Sequence, residues 1–393
     1  MNLKEILIGL EGLKARGNID IEIEGIAFNS KEVKENYLFV AIKGFETDGH
    51  KYVEEALEKG AKAILIEEGC DLKSLNIPND IAIVMARDTR EALAIISCNY
   101  YKNPSNKLKL IGITGTKGKT TTTYMIKEIL EKAGKKVGLI GTIETEIAGK
   151  KIKNNDRTTP ESLELQKLLD NMVKAGVEIA VMEVSSQSLK LHRVTGCTFD
   201  MVVFTNFAED HISPNEHPSM EDYLESKLKI FSMCKQAIVN ADDLQGCKMQ
   251  KRFPELQITT YGIDNWANLL AKDITITNSY VDFKIKLTDK NERVKFIMSL
   301  AIDGIQGADS ETVHKFLNIL ATALRPSKDK NGYCSGLGLA MVFKEDDKPL
   351  IRGLVGQEGL FDEIKPWEDI VNRDVSNFCN QLNSRSNSKE IEI

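Results

Sequence analysis

At 393 residues, 42% of them hydrophobic, the chain has enough apolar material for two or three domain cores. A net charge of −6 provides no global basic field for nucleic acid or an anionic membrane, so any anionic ligand needs a local site. No apolar run reaches about 18 residues, the opening Met-Asn-Leu-Lys-Glu-Ile-Leu lacks a signal-peptide layout, and the cysteines are scattered and odd in number, which argues against a disulfide frame or zinc site and for a cytoplasmic chain.

Residues 1–103 alternate short β-rich runs (Ile21–Phe28, Tyr37–Ile42, Ala63–Glu67, Ile81–Met85) with helical stretches at Lys51–Lys59 and Thr89–Tyr100. This reads as a small α/β domain. Lys102–Asn106 reads as a linker, because Pro104 and its polar neighbours interrupt the periodicity. Across 104–290, strands are expected at 108–113, 137–143, 177–184, 199–205, 236–240 and 257–261, with helical stretches between them. Such alternation predicts a mostly parallel sheet covered by helices.

The remaining block, 291–393, reads as an α+β segment. It holds Asp303–Gly307, an expected helix at Ser310–Leu324, a turn at Arg325–Gly332, a hairpin-like Gly336–Leu354 and a polar tail from Asn380, disordered by composition over Asn383–Lys389. Tyr333-Cys334-Ser335-Gly336 offers a thiol with no identifiable base, which is the pattern of an inert packed cysteine.

The most informative stretch is 111–123, Ile-Gly-Ile-Thr-Gly-Thr-Lys-Gly-Lys-Thr-Thr-Thr-Thr. An apolar strand runs into a glycine-rich turn and then a helix, so backbone N–H groups of Gly115, Thr116, Lys117, Gly118, Lys119, Thr120 and Thr121 can cradle phosphates of ATP. Lys119 would reach the terminal phosphates and Thr120 would hold Mg²⁺. The spacing departs from the usual pattern, which wants glycine where Ile113 stands, with Gly112 one step too early.

In a parallel sheet, ligands gather at the carboxyl ends of strands. Met182-Glu183-Val184-Ser185-Ser186-Gln187 and Thr205-Asn206-Phe207-Ala208-Glu209-Asp210-His211 occupy two such ends. A carboxylate and an imidazole beside a phosphate cradle make a divalent-metal site, against the blander reading of polar strand termini.

The segments Thr114–Thr121, Thr158-Thr-Pro-Glu-Ser162, Met182–Ser186, Leu191-His-Arg193, Thr205-Asn206 with Asp210-His211, Tyr223-Leu-Glu-Ser-Lys227 and Asn240-Ala-Asp-Asp243 occur in this order along the chain. Together they resemble the Mur ligase family, MurE type. Phe28-Asn-Ser30, Leu38–Gly44 and Thr47–His50 resemble that family's UDP-binding domain. The resemblance spans about 20–287 and implies a UDP-binding domain (1–103), a central P-loop ATPase domain (104–290) and an unassigned segment (291–393).

The implied activity joins the third amino acid to UDP-N-acetylmuramoyl-L-Ala-D-Glu through an acyl phosphate, with ATP and Mg²⁺ as cofactors and no nucleic-acid partner; a monomer is expected. By the same resemblance Lys119, Glu183, His211 and Lys227 are catalytic. Thr120 and Glu183 would hold one Mg²⁺, while Glu183, His211 and a carbamylated Lys227 would engage a second, the carbamate turning a cation into an anion. The blander reading of Lys227 is a solvated helix lysine. Ser30 falls to the UDP end, and Thr158, Thr159, Ser185 and Arg193 to the muramoyl-peptide end, where an arginine fork suits carboxylate or phosphate. Thr158 and Thr159 before Pro160 also fit a helix cap, and Arg193 a surface cation.

After Leu287 the family's glycine-Arg-Phe-Asn-type junction and its amino-acid-binding domain are not recognisable. The residues that choose between meso-diaminopimelate and L-lysine are therefore not readable. An alternative stands beside the ligase, a UDP-sugar and nucleotide binding module with weak or no ligation.

Overall fold

The computed structural model describes residues 1–45, 47–71, 76–152, 157–214, 216–276, 280–288, 294–303, 344–345, 348–349 and 351–357. Met1–Val202 and Ala208–Lys235 form one compact unit; Val203–Phe207 and Gln236–Ile393 form a second.

The first unit opens with helix α1 (Leu3–Ile6) and strands β1 (Lys14–Arg16), β2 (Gly25–Ala27), β3 (Tyr37–Val40), β4 (Ala61–Glu67) and β5 (Ala82–Ala86), with helices α2 (Val53–Glu58) and α3 (Thr89–Tyr100). Strand order is β1-β5-β4-β3-β2, parallel except for β1. Successive side chains of a strand point to opposite faces, so Leu38, Val40, Ala63 and Leu65 pack with Leu3, Leu93 and Ile96, while Phe39, Ile64 and Ile66 pack with Val53 and Ala56. Helices on both faces explain why β4 reads as a nearly unbroken apolar run. Asp88 caps α3 by accepting N–H bonds from Arg90 and Glu91.

The expected strand Ile21–Phe28 shortens to β2, and β1 was not expected, since its three residues are all exposed and carry no apolar alternation. The expected linker is a turn in which Lys102 and Asn103 adopt positive φ, followed by a 3₁₀ turn over Pro104–Asn106.

The same unit continues with β6 (Lys109–Thr114), α4 (Lys119–Lys132), β7 (Val137–Ile140), β8 (Thr145–Ile147), β9 (Lys150–Ile152), α5 (Ser162–Lys174), β10 (Ile179–Glu183), α6 (Ser186–Lys190), the start of β11 (Met201–Phe204) and α7 (Met220–Leu228). β10 lies between β6 and β7 and runs parallel to both. The expected strand 137–143 stops at Ile140, and the hairpin β8–β9 extends the sheet edge. Its turn, Ala148-Gly149, has positive φ at both residues, the two-residue geometry that Asn-Gly signals far more loudly than Ala-Gly.

Gly112, the glycine one step out of place for a phosphate loop, serves packing: a Cβ there would lie 2.8 Å from the Phe199 ring. Gly112→Ala is expected to cost about 1–3 kcal/mol through overpacking, read as a lower midpoint in urea denaturation. An unchanged midpoint would show that Phe199 yields freely.

The second unit holds β12 (Gln236–Asn240), helix α8 (Met249–Arg252) and β13 (Gln257–Gly262), the two strands parallel as expected. β14 (Leu269–Ile276) still runs parallel to β13, and beyond it the parallel expectation gives way to antiparallel β15 (Tyr280–Thr288) and β16 (Val294–Asp303). The hairpin-like expectation at Gly336–Leu354 meets the paired β17 (Lys344–Glu345) and β18 (Lys348–Pro349), followed by β19 (Ile351–Gln357) on β16. The expected helix 310–324, the turn 325–332, Tyr333–Gly336, residues 304–307 and the tail from Asn380 lie outside the described residues.

Candidate active site

β6 delivers the chain into Gly115 (φ 140°) and Gly118 (φ 83°), and Gly118 is the N-cap of α4. Both values favour glycine, because a Cβ in that region is strained. No side chain caps α4, so its first N–H groups remain available to an anion and its dipole points the same way. Lys119 Nζ folds back over the turn, donating to Gly115 O (3.1 Å) and Thr116 O (3.0 Å). Burial lowers its ammonium from the ordinary lysine value, opposed by Glu183 and Asp210. Exposed Lys117 pairs with Asp210 at 3.1 Å, and Thr121 is exposed.

Glu183, at the end of β10 and 1% exposed, gathers the site. Its Oε2 accepts from Thr120 Oγ1 at 2.8 Å and lies 3.1 Å from Thr142 Oγ1, its Oε1 accepts the Thr142 N–H at 2.9 Å, and its backbone oxygen accepts from Thr159 Oγ1 at 2.9 Å. Thr142 Oγ1 is also 3.1 Å from Thr158 Oγ1. Thr142, just beyond β7, was not expected, although the same strand-end rule that selected Glu183 points to it. A carboxylate beside a threonine hydroxyl is a hard-oxygen donor set that suits Mg²⁺. Close backbone approach adds to the fit: a Cβ at Gly141 would sit 2.7 Å from Glu183 Oε1. Gly141→Ala is therefore expected to displace the carboxylate and lower Mg²⁺-dependent nucleotide turnover about tenfold, with the melting temperature retained. Wild-type turnover in that variant would show that the position of Oε1 is uncritical.

Lys227 is 1% exposed on α7, which overturns the reading of a solvated lysine. Its Nζ donates to Gly115 O at 2.8 Å and stands 4.5 Å from the centre of the Tyr223 ring. Burial, then the cation of Lys119, hold it well below the ordinary lysine value. His211, in contrast, is 46% exposed, with its Nδ1 3.1 Å from Glu216 Oε2. Among the described residues no three His, Cys, Asp or Glu side chains converge as a cation site.

Thr159 Oγ1 also accepts the Ser185 N–H at 3.2 Å. Arg193 is 5% exposed and thus no surface cation: Nε donates to Glu161 Oε1 (3.1 Å) and a guanidinium NH₂ group to Thr159 O (3.2 Å). Buried Glu161 also receives Arg90 at 3.4 Å and Arg157, three guanidiniums on one carboxylate, a clamp with no sequence signal. Glu161, not Thr158 or Thr159, is the N-cap of α5, so the cap reading of the Thr-Thr-Pro segment fails. Ser30 is buried in the first sheet region and donates to Glu55 Oε2 at 2.8 Å.

The fold and site define a P-loop α/β protein in which one strand-end carboxylate joins a phosphate cradle to a threonine-rich segment. The family description "Mur ligase middle domain" matches residues 113–322, and "Mur ligase family, catalytic domain" matches 22–101. The chain belongs to the Mur ligase family. The match passes Leu287, where the sequence reading placed the end of the resemblance.

Among relatives, a UDP-N-acetylmuramoyl-L-alanyl-D-glutamate–2,6-diaminopimelate ligase of Caldanaerobacter subterraneus subsp. tengcongensis is 43% identical over 330 residues, 83% of this chain and 66% of that one. A protein of the same name from Clostridium botulinum is 47% identical over 294 residues, 75% of this chain and 59% of that one. The chain thus spans less than two thirds of the length of the curated relatives it matches. A solved structure titled with the same ligase shares the fold, with a TM-score of 0.66 at 21% identity, covering 89% of this chain and 70% of that chain. No helix among the described residues is long and apolar enough to cross a membrane.

Proposed function

We propose that the chain is an ATP-dependent carboxylate–amine ligase that extends UDP-N-acetylmuramoyl-L-Ala-D-Glu by its third amino acid in peptidoglycan synthesis. The observation that carries the reading is Glu183: its carboxylate holds Thr120 of the cradle while its backbone oxygen holds Thr159 of the muramoyl-side segment. ATP and Mg²⁺ are the cofactors, the UDP-muramoyl-dipeptide and an amino acid the partners, without nucleic acid or membrane insertion; the protein acts as a cytoplasmic monomer. Division into 1–103, 104–290 and 291–393 belongs to the same proposal.

In the first step the substrate carboxylate oxygen attacks the γ-phosphorus and ADP leaves; in the second the amine attacks the acyl carbon and inorganic phosphate leaves. Both steps gather negative charge, which Lys119 and the α4 N-terminus offset. Mg²⁺, when bound, adds cationic charge beside the transferring group; Thr120 and Glu183 would hold it, with His211 and a carbamylated Lys227 completing a second position. Thr158, Thr159, Ser185 and Arg193 orient the muramoyl peptide, and Ser30 the UDP end.

The test is incubation with ATP, Mg²⁺ and UDP-muramoyl-dipeptide, with meso-diaminopimelate or L-lysine, and product masses read by mass spectrometry. Tripeptide with stoichiometric ADP is the expected result. ADP without tripeptide would favour the binding-module alternative, and no dipeptide-dependent ADP would end the ligase reading.

A further inference from the structure

A buried Ser-His-Asp array lies beside the residues assigned above. His217 is fully buried, its Nε2 is 2.9 Å from Ser186 Oγ and its Nδ1 is 2.6 Å from Asp222 Oδ2. These are the distances of an acyl-transfer triad. Ser186 is itself only 5% exposed and the Tyr223 ring packs 5.0 Å from the imidazole, so an acyl substrate has no approach. The array is built to hold its neighbours. Asp222 also accepts from Lys190 Nζ at 2.8 Å, which keeps it an acceptor; Nδ1–H then donates to Asp222 and Nε2 accepts from Ser186.

Its two ends lead to opposite ends of the phosphate cradle. From Ser186, the chain neighbour Ser185 donates its N–H to Thr159, Thr159 donates to Glu183 O, and the Glu183 carboxylate accepts from Thr120. From the other face of the imidazole, Tyr223 donates its hydroxyl to Thr116 Oγ1 at 3.2 Å. The path leaves the cradle at Thr120 and returns to it at Thr116. Beside the direct Lys190–Asp222 pair, His217 is a second joint between α6 and α7, and it closes this ring.

We propose that His217 is a positioning residue that fixes the muramoyl-side segment, through Ser186, against the phosphate cradle, through Tyr223, so that the substrate carboxylate meets the γ-phosphate at reacting distance. Its chemistry rests on the ligase reading; its geometry rests on the ring alone. Misplacement by about 1 Å is enough to cost on the order of a hundredfold in rate, so the joint need not touch substrate to matter.

The test compares wild type with His217→Ala, which breaks both bonds, and His217→Gln, whose amide offers N–H to Asp222 and oxygen to Ser186. Dipeptide-dependent ADP formation is expected to lose at least about tenfold in kcat in the alanine variant, with KM for ATP within about twofold, and to recover most of kcat in the glutamine variant. Amide hydrogen exchange should quicken across 115–121 and 184–190 in the alanine variant and stay constant across 61–67. Unchanged kcat, or glutamine as poor as alanine, would overturn the positioning role. Should the wild type form no ADP with the dipeptide, the ligase reading falls and the exchange result alone decides, with unchanged exchange at 115–121 overturning the ring. Should His217→Ala lack a cooperative melt, Ser186→Ala removes the imidazole's direct bond to α6 while leaving Lys190–Asp222 in place, and serves instead with the same expectations.

Discussion

Lys227→Ala is expected to abolish ATP turnover, with no rescue by added bicarbonate. The lysine is buried against Tyr223 and reaches Gly115 O at the cradle, so whatever charge it carries is delivered next to the phosphates. A buried ammonium beside Lys119 is unfavourable, and burial already holds the amine well below its ordinary value. The neutral amine is the form that takes up carbon dioxide, and the resulting carbamate would be an anion suited to a cation. Alanine has no amine to modify, hence the failure of bicarbonate. The shift also sets a pH dependence: between the depressed folded value and the ordinary lysine value the unfolded chain binds the proton and the folded chain does not, so this group's contribution to stability rises with pH across that interval and is lost as pH falls through the folded value. Intact turnover in Lys227→Ala, or an identical pH dependence of urea midpoints in both proteins, would leave Lys227 a packing residue.

Lys119→Ala should weaken nucleotide binding at least about tenfold, equivalent to about 1.4 kcal/mol. Lys119 Nζ reaches the carbonyls of Gly115 and Thr116 in the turn, and its removal takes a fixed cation from the cradle. The backbone donors of α4 survive, so some affinity remains. Calorimetry giving equal dissociation constants for the two proteins would assign the affinity to the backbone alone.

Legibility in the sequence followed the local physics. α3 was readable to the residue because Asp88 caps it and its apolar positions recur at helical spacing, and β12 because its apolar run is bounded by turn residues. Gly115, Gly118, Lys119 and Glu183 were readable because a phosphate turn and a strand end are short-range features. The Arg90–Glu161–Arg193 clamp was not, since its members lie far apart in the chain and each looks like an ordinary surface charge. His217 sits in a polar loop whose sequence announces nothing about burial. β14 and β15 were hidden by their interspersed lysine and aspartate residues, which resemble solvated loop as much as strand.

The clamp also bears on how the chain may be cut. Arg90 belongs to α3 and grips Glu161 in the segment before α5, while a Cβ at Gly196 would fall 2.6 Å from Cys98 Sγ on the same helix. A fragment starting at residue 104 would therefore strip a buried carboxylate of one of its three cations and bare the face that α3 covers on α5. Crystallographers seeking the nucleotide site in isolation would do better to retain the first hundred or so residues, because in this chain they brace the Glu161 carboxylate and cover α5.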